Sequence, residues 1–212
     1  MRVIPNPAAE TEKIESVVKE ATSEKGKDSM ETTEKVIKKD LRKCTIDDEL
    51  IDLFVTQIQS ELSNHNLYAS FASYYNAKGL YKLNSYWLAR AKEEYEHHLW
   101  IVNYLNQSNA VYQYPEIPIT KLEITDDVTP FKATVDREIE TTGMIYNILN
   151  KATEKGDWIT VAFLFGNGMV EGKLIPEQSE EMKLSMDALR IAEMDTDWIT
   201  KQDSIYSLYF KD

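Results

Sequence analysis

The chain has 212 residues, which is enough for one sizeable core but short for two full domains. Its 7 Gly and 6 Pro, set against 36 acidic residues and a 42% apolar fraction, favour an all-α globular protein over a β-rich one. The net charge of -12 argues against nucleic acid or an anionic membrane as a partner, because both attract clusters of Lys and Arg, and it makes cations the more natural ligands.

The single cysteine, Cys44, cannot form an internal disulfide. The N-terminus has no apolar signal-like segment, and no apolar run approaches the length of a membrane span. We therefore expect a cytoplasmic protein.

Residues 1–44 differ in composition from the rest of the chain, since they are highly charged and contain no aromatic residue. Their two weak apolar stripes could be buried only against a partner. We predict that residues 1–44 are an N-terminal extension that is either mobile or docked on a neighbour, with a disordered tail without function as the alternative. Residues 45–212 then form the folded domain.

Thr45 and Asp48 resemble a capping box, and apolar residues recur at helical spacing from Leu50 to Phe71. This pattern predicts a first helix over 47–77. Gly79 follows it, and a second amphipathic pattern continues to about residue 107. Because the connection is so short, the two helices should be antiparallel neighbours.

The helical period is lost over 108–129, where Pro115 and Pro118 favour extended backbone. A segment of this length can travel the length of a long helix. Thr129 and Pro130 then form a suitable cap and first turn for a third helix, which should end near Gly156.

Residues 158–165 suit a helix, but closely spaced glycines at 166, 168 and 172 interrupt the pattern before it resumes at Pro176. A final helix is predicted over 197–209. The whole order is typical of a four-helix bundle with one long crossover, between the second and third helices, and a short fifth C-terminal helix.

Glu94 and His97 lie three residues apart on the second predicted helix, so both side chains can reach one divalent ion. Charged, solvated helices also carry this spacing by chance. The first helix adds Glu61, with Tyr68 two turns later on the same stripe, and the third helix adds Glu138. Either glutamate alone could face solvent, whereas the combination indicates a site with two metal ions.

In this order and at these intervals, Glu61, Tyr68, Glu94, His97 and Glu138 resemble the ferritin family, more closely its bacterial non-haem branch. The resemblance covers about residues 47–190. It implies a di-iron ferroxidase centre in which Glu94 bridges two irons, Glu61 and His97 hold one, and Glu138 holds the other. It also implies that Tyr68 lies beside the irons and that many copies form a homo-oligomeric cage of 24 subunits.

The fourth helix departs from the family pattern. Gln178 matches the family's glutamine close to the irons only if residues 166–172 are an insertion that bulges from the helix. In a rival register without an insertion, Glu171 takes that place. In the first register Glu177, Glu180 and Glu181 could join Glu93 in a third iron site, or they could form a solvated acidic face.

No histidine follows His98, so the chain lacks the second Glu-x-x-His of haem-containing relatives and we expect no haem. A centre with one imidazole and mainly oxygen ligands suits iron better than zinc, with manganese chemically acceptable.

We therefore expect an iron-storage ferritin that oxidises Fe(II) with dioxygen and stores Fe(III) mineral, with no nucleic acid or membrane as partner. The first alternative is a ferritin-like structural or interaction protein with a weak or inactive centre. The second is a miniature ferritin of the DNA-protecting type, and the complete ligand set within one chain and the acidic charge speak against it.

Overall fold

The computed structural model describes residues 44–118, 122–168 and 171–210. This part of the chain is all-helical and has no strands. The predicted extension at 1–44 lies outside the described residues except for Cys44. The helices are α1 (Asp48–Ala77), α2 (Tyr81–Gln107), α3 (Thr129–Glu154), α4 (Trp158–Leu164), α5 (Leu174–Ala192) and α6 (Trp198–Tyr209).

The two cap predictions differ from the observed helix starts. The N-cap of α1 is Asp47, whose carboxylate accepts from the backbone N–H of Glu49 at 3.0 Å. The hydroxyl of Thr45 instead donates to the carbonyl of Ser108 at 3.3 Å, so it is not available as a cap. At α3 the cap is Val128 and Pro130 lies in the first turn, as predicted for the proline.

The long α1 and α2 pack against each other, and α3 packs against both α1 and α5. The described parts of the crossover lie beside α1 near both of its ends. The crossover begins where the Thr45 N–H donates to the Ser108 carbonyl at 3.1 Å, and it ends where the Tyr75 hydroxyl donates to the Asp127 carbonyl at 2.6 Å. The four-helix bundle with one long crossover is therefore confirmed, and α6 is the short C-terminal helix, packed on α2 and α5.

The chain leaves the helical conformation between α4 and α5, as the glycines predict. Gly166 has φ +81°, a backbone conformation that other residues rarely adopt. A Cβ on Gly172 would lie 2.3 Å from Cε2 of Phe163. The segment that leads into α5 can therefore pass this ring only if residue 172 has no side chain. The helix resumes at Leu174, which places Pro176 in the first turn, where its missing N–H does least harm.

Two apolar clusters fill the bundle, one on each side of a polar layer. One contains Phe54, Ile58, Ile101 and Phe163, and the other begins at Leu67. On α1 the gap between Ile58 and Leu67 corresponds to about 13 Å of helix at 1.5 Å per residue. At this level of the bundle α1, α2, α3 and α5 contribute buried polar side chains, which together form the polar layer. None of the helices in the described ranges is both long and apolar enough to cross a lipid bilayer.

Candidate metal centre

Three ligand groups meet in the polar layer. Glu61 on α1 and Glu94 and His97 on α2 are all buried, and their ligand atoms lie within 4.8 Å of one another. They meet because α1 and α2 are antiparallel and because the three-residue spacing places Glu94 and His97 on one face of α2.

This group has free ligand atoms. Oε2 of Glu61 and Oε1 of Glu94 are buried without a hydrogen-bond partner, while the other oxygen of Glu61 accepts from Gln57 at 2.6 Å. Buried carboxylate oxygens are costly without a donor or a cation. A divalent cation between the two glutamates and His97 would supply the missing partner, so the residues fit a metal ion.

Glu138 on α3 faces the group from across the layer, but its oxygens are already paired. Its Oε1 accepts from the hydroxyl of Tyr68 at 2.9 Å and from Nη2 of Arg90 at 2.6 Å. Its Oε2 accepts from the amide of Gln178 on α5 at 2.8 Å. The structure therefore brings Gln178 into the centre, while Glu171 is exposed.

The buried charges shift one another's pKa values. Burial raises the pKa of Glu94 well above its ordinary value, and repulsion from Glu181 and Glu61 raises it further. Burial would also raise the pKa of Glu61, but the nearby His97 imidazole and the hydrogen bond from Gln57 lower it overall. Burial opposes charge on the His97 imidazole, yet Glu181 and Glu61 outweigh it and raise its pKa to about 9. Without a metal ion these shifts favour the protonated forms of Glu94 and His97, and a bound cation would compete with those protons.

The residues predicted for a third iron site line a groove of about 520 Å³ beside the centre. Glu181 is buried, with its Oε2 3.8 Å from Nδ1 of His97, whereas Glu93 is partly exposed and Glu180 is exposed. Glu177 pairs with Lys173. The structure therefore gathers these carboxylates around one opening, but the three-ligand group found within the described ranges is Glu61, Glu94 and His97.

The sequence patterns did not predict two buried residues of this layer. Arg90 lies one turn before Glu94 and Gln57 one turn before Glu61, and both side chains are fully buried. Their four-residue spacing from a proposed ligand was a usable signal, since it places them on the same helix face.

Residues 51–171 match the model of the ferritin-like domain, which is more than half of the chain. A bacterial non-heme ferritin from Staphylococcus aureus is 25% identical over 115 residues, covering 54% of this chain and 69% of the relative. A bacterial non-heme ferritin from Staphylococcus saprophyticus is 25% identical over 116 residues, covering 55% and 70%.

Solved structures show the same fold. A humanized archaeal ferritin superposes with a TM-score of 0.69 at 20% identity, covering 79% of this chain and 99% of that one. An open pore ferritin from Archaeoglobus fulgidus gives a TM-score of 0.65 at 21% identity, covering 79% and 100%. With a matching family model, ferritin relatives and a ferritin bundle, this chain belongs to the ferritin-like family.

Proposed function

We propose that this protein is a cytoplasmic iron-storage ferritin, which oxidises Fe(II) at a centre within each subunit and stores Fe(III) mineral in a homo-oligomeric cage. The proposal is carried by one observation, the buried group of Glu61, Glu94 and His97 with two unpaired carboxylate oxygens. Membership of the ferritin-like family and the relatives named as ferritins support iron storage in general.

In this proposal the first Fe(II) binds to Glu61, Glu94 and His97. Glu94 also faces the second position, where Glu138 is the further ligand and Gln178 orients it. Two Fe(II) ions give one electron each to one dioxygen, which takes up two protons and leaves as hydrogen peroxide. The carboxylates would stabilise the higher charge of Fe(III) better than that of Fe(II). The hydroxyl of Tyr68, which donates to Glu138, lies where it can hold this carboxylate in position during the charge change.

Neighbouring histidines give a matched test of the centre. His97 belongs to the ligand group, whereas the ring of His98 packs against Tyr95 with centroids 4.4 Å apart. We expect His97→Gln to slow Fe(II) oxidation at least tenfold in stopped-flow absorbance, and His98→Gln to leave the rate within a factor of two.

Negative-stain electron microscopy tests the assembly in the same preparations. Hollow spheres together with oxidation above buffer support the full proposal. Intact assemblies without oxidation would instead support a structural or interaction role, and equal rates for His97→Gln and the wild type would place the chemistry elsewhere.

A further inference from the structure

Arg90 is a fully buried cation inside the proposed metal centre. Its Nη2 donates to Oε1 of Glu138 at 2.6 Å, and its Nη1 donates to Oε1 of Glu181 at 3.1 Å. The same Nη1 lies 3.4 Å from Oε2 of Glu93, which faces the acidic groove. One guanidinium therefore joins α2 to α3 and α5 and separates the centre from the groove.

The two halves of the centre consequently differ. In the half formed by Glu61, Glu94 and His97, two carboxylate oxygens have no donor. In the half formed by Glu138, both oxygens are paired with protein donors, and one of these donors is the charged group of Arg90. The first half is open to a metal ion, which can replace the proton on His97, whereas the second half already contains a guanidinium that keeps its charge.

We infer that Arg90 acts as a built-in cation that holds the second metal position closed, so that each chain binds one divalent ion tightly and a second only weakly. The inference deepens the proposed function and rests on it. A second ion at Glu138 must displace the guanidinium or the Gln178 amide from that carboxylate, and in either case it lies close to the positive charge of Arg90. Both effects lower the affinity of the second ion, and repulsion between charges a few ångströms apart in a buried site corresponds to about tenfold or more in affinity.

A structural role alone would make a different prediction. Buried Arg90 would then only neutralise the carboxylates of the layer, and its removal would change stability without changing the number of ions bound. The binding stoichiometry therefore separates the two roles.

The test is an anaerobic titration of the full-length protein with Co(II), followed by calorimetry and by the visible absorption of bound Co(II). We expect the wild type to bind one tight ion per chain, with a second at least tenfold weaker. Arg90→Gln removes the charge and should strengthen the second site at least tenfold, giving two tight ions per chain. The matched control, Arg190→Gln, removes a guanidinium that pairs with Asp187 on the exposed surface of α5, and should keep the wild-type pattern.

Arg90→Lys covers the case in which Arg90→Gln does not fold. The lysine retains the positive charge but not the planar fork of the guanidinium, so it should keep one tight ion. Two equal sites in the wild type, or in Arg90→Lys, would overturn the inference, as would an Arg90→Gln protein that folds and still binds one tight ion. Absence of Co(II) binding in every variant would refute the proposed function and the inference with it, whereas two equal sites in the wild type would refute the inference alone.

Discussion

Glu94→Gln should stabilise the metal-free protein, although it replaces a proposed ligand at the centre of the bundle. Glu94 and Glu61 are both buried, and their ligand atoms lie within 4.8 Å of each other. Two unit charges at that distance repel by about 3.5 kcal/mol at an effective dielectric constant near 20. The amide of the variant removes this repulsion and can donate to Oε2 of Glu61, which has no donor in the wild type.

The measured gain should be smaller than this repulsion, because the raised pKa of Glu94 favours its neutral form, which already relieves part of the repulsion. We expect about 1–3 kcal/mol, the range for pairing an unsatisfied buried polar group. For a chain of this size the gain corresponds to a rise in Tm of about 2–12 °C.

The assay is thermal unfolding followed by circular dichroism, with a chelator and again with Co(II) in excess. At a Co(II) concentration 100-fold above its Kd, the wild type should gain about 2.7 kcal/mol, whereas Glu94→Gln should gain almost nothing. Glu96→Gln is the control, because Glu96 is a half-exposed residue of the same helix that pairs with Lys92. If Glu94→Gln lowers the Tm of the chelated protein, or if Co(II) still stabilises it like the wild type, the metal centre has been assigned to the wrong residues.

Three further predictions concern the surroundings of the centre. Tyr68→Phe removes a hydrogen bond to a proposed ligand and should slow Fe(II) oxidation in stopped-flow absorbance, while Tyr75→Phe, which loses a hydrogen bond to the crossover, should not; equal rates would exclude a role for the Tyr68 hydroxyl. Gln178→Ala should slow the same reaction and Glu171→Ala should leave it unchanged, and the opposite result would mean that the register of α5 is wrong. Phe163→Ala removes a fully buried ring at the end of α4 and should lower the free energy of unfolding in urea by about 3–5 kcal/mol. A decrease below about 1 kcal/mol would show that this ring does not stabilise the non-helical segment between α4 and α5.

The sequence predicted the helices well because their signals are local. Apolar spacing defined the long helices to within a residue or two, and Gly79 and Gly156 adopt the positive φ angles that end them. The N-cap residues of α1 and α3 were predicted wrongly, because the choice of cap depends on the path of the preceding chain. Thr45 is drawn to the Ser108 carbonyl, which lies 63 residues away in sequence.

The centre could be predicted only in part, and the reason is the same. Glu94 and His97 are close along one helix, so their pairing is visible in the sequence. The pairing of Arg90 with Glu138 crosses from α2 to α3 over 48 residues, and no local pattern reports it. The sequence therefore predicted the carboxylates and the imidazole that the structure brings together, but not the buried guanidinium of Arg90 beside them.

The position of the polar layer explains how the bundle tolerates such a centre. Apolar clusters lie on both sides of it, and large rings such as Trp87 and Phe54 are fully buried within them. Burying an aromatic side chain of this size contributes roughly 1.5–3 kcal/mol or more, so a few such residues offset the repulsion between the carboxylates. Because stability comes from these clusters, the layer can keep unpaired oxygens for a metal ion. Because the stabilising apolar clusters are separate from the polar layer, Glu94→Gln should raise stability while it removes the proposed function.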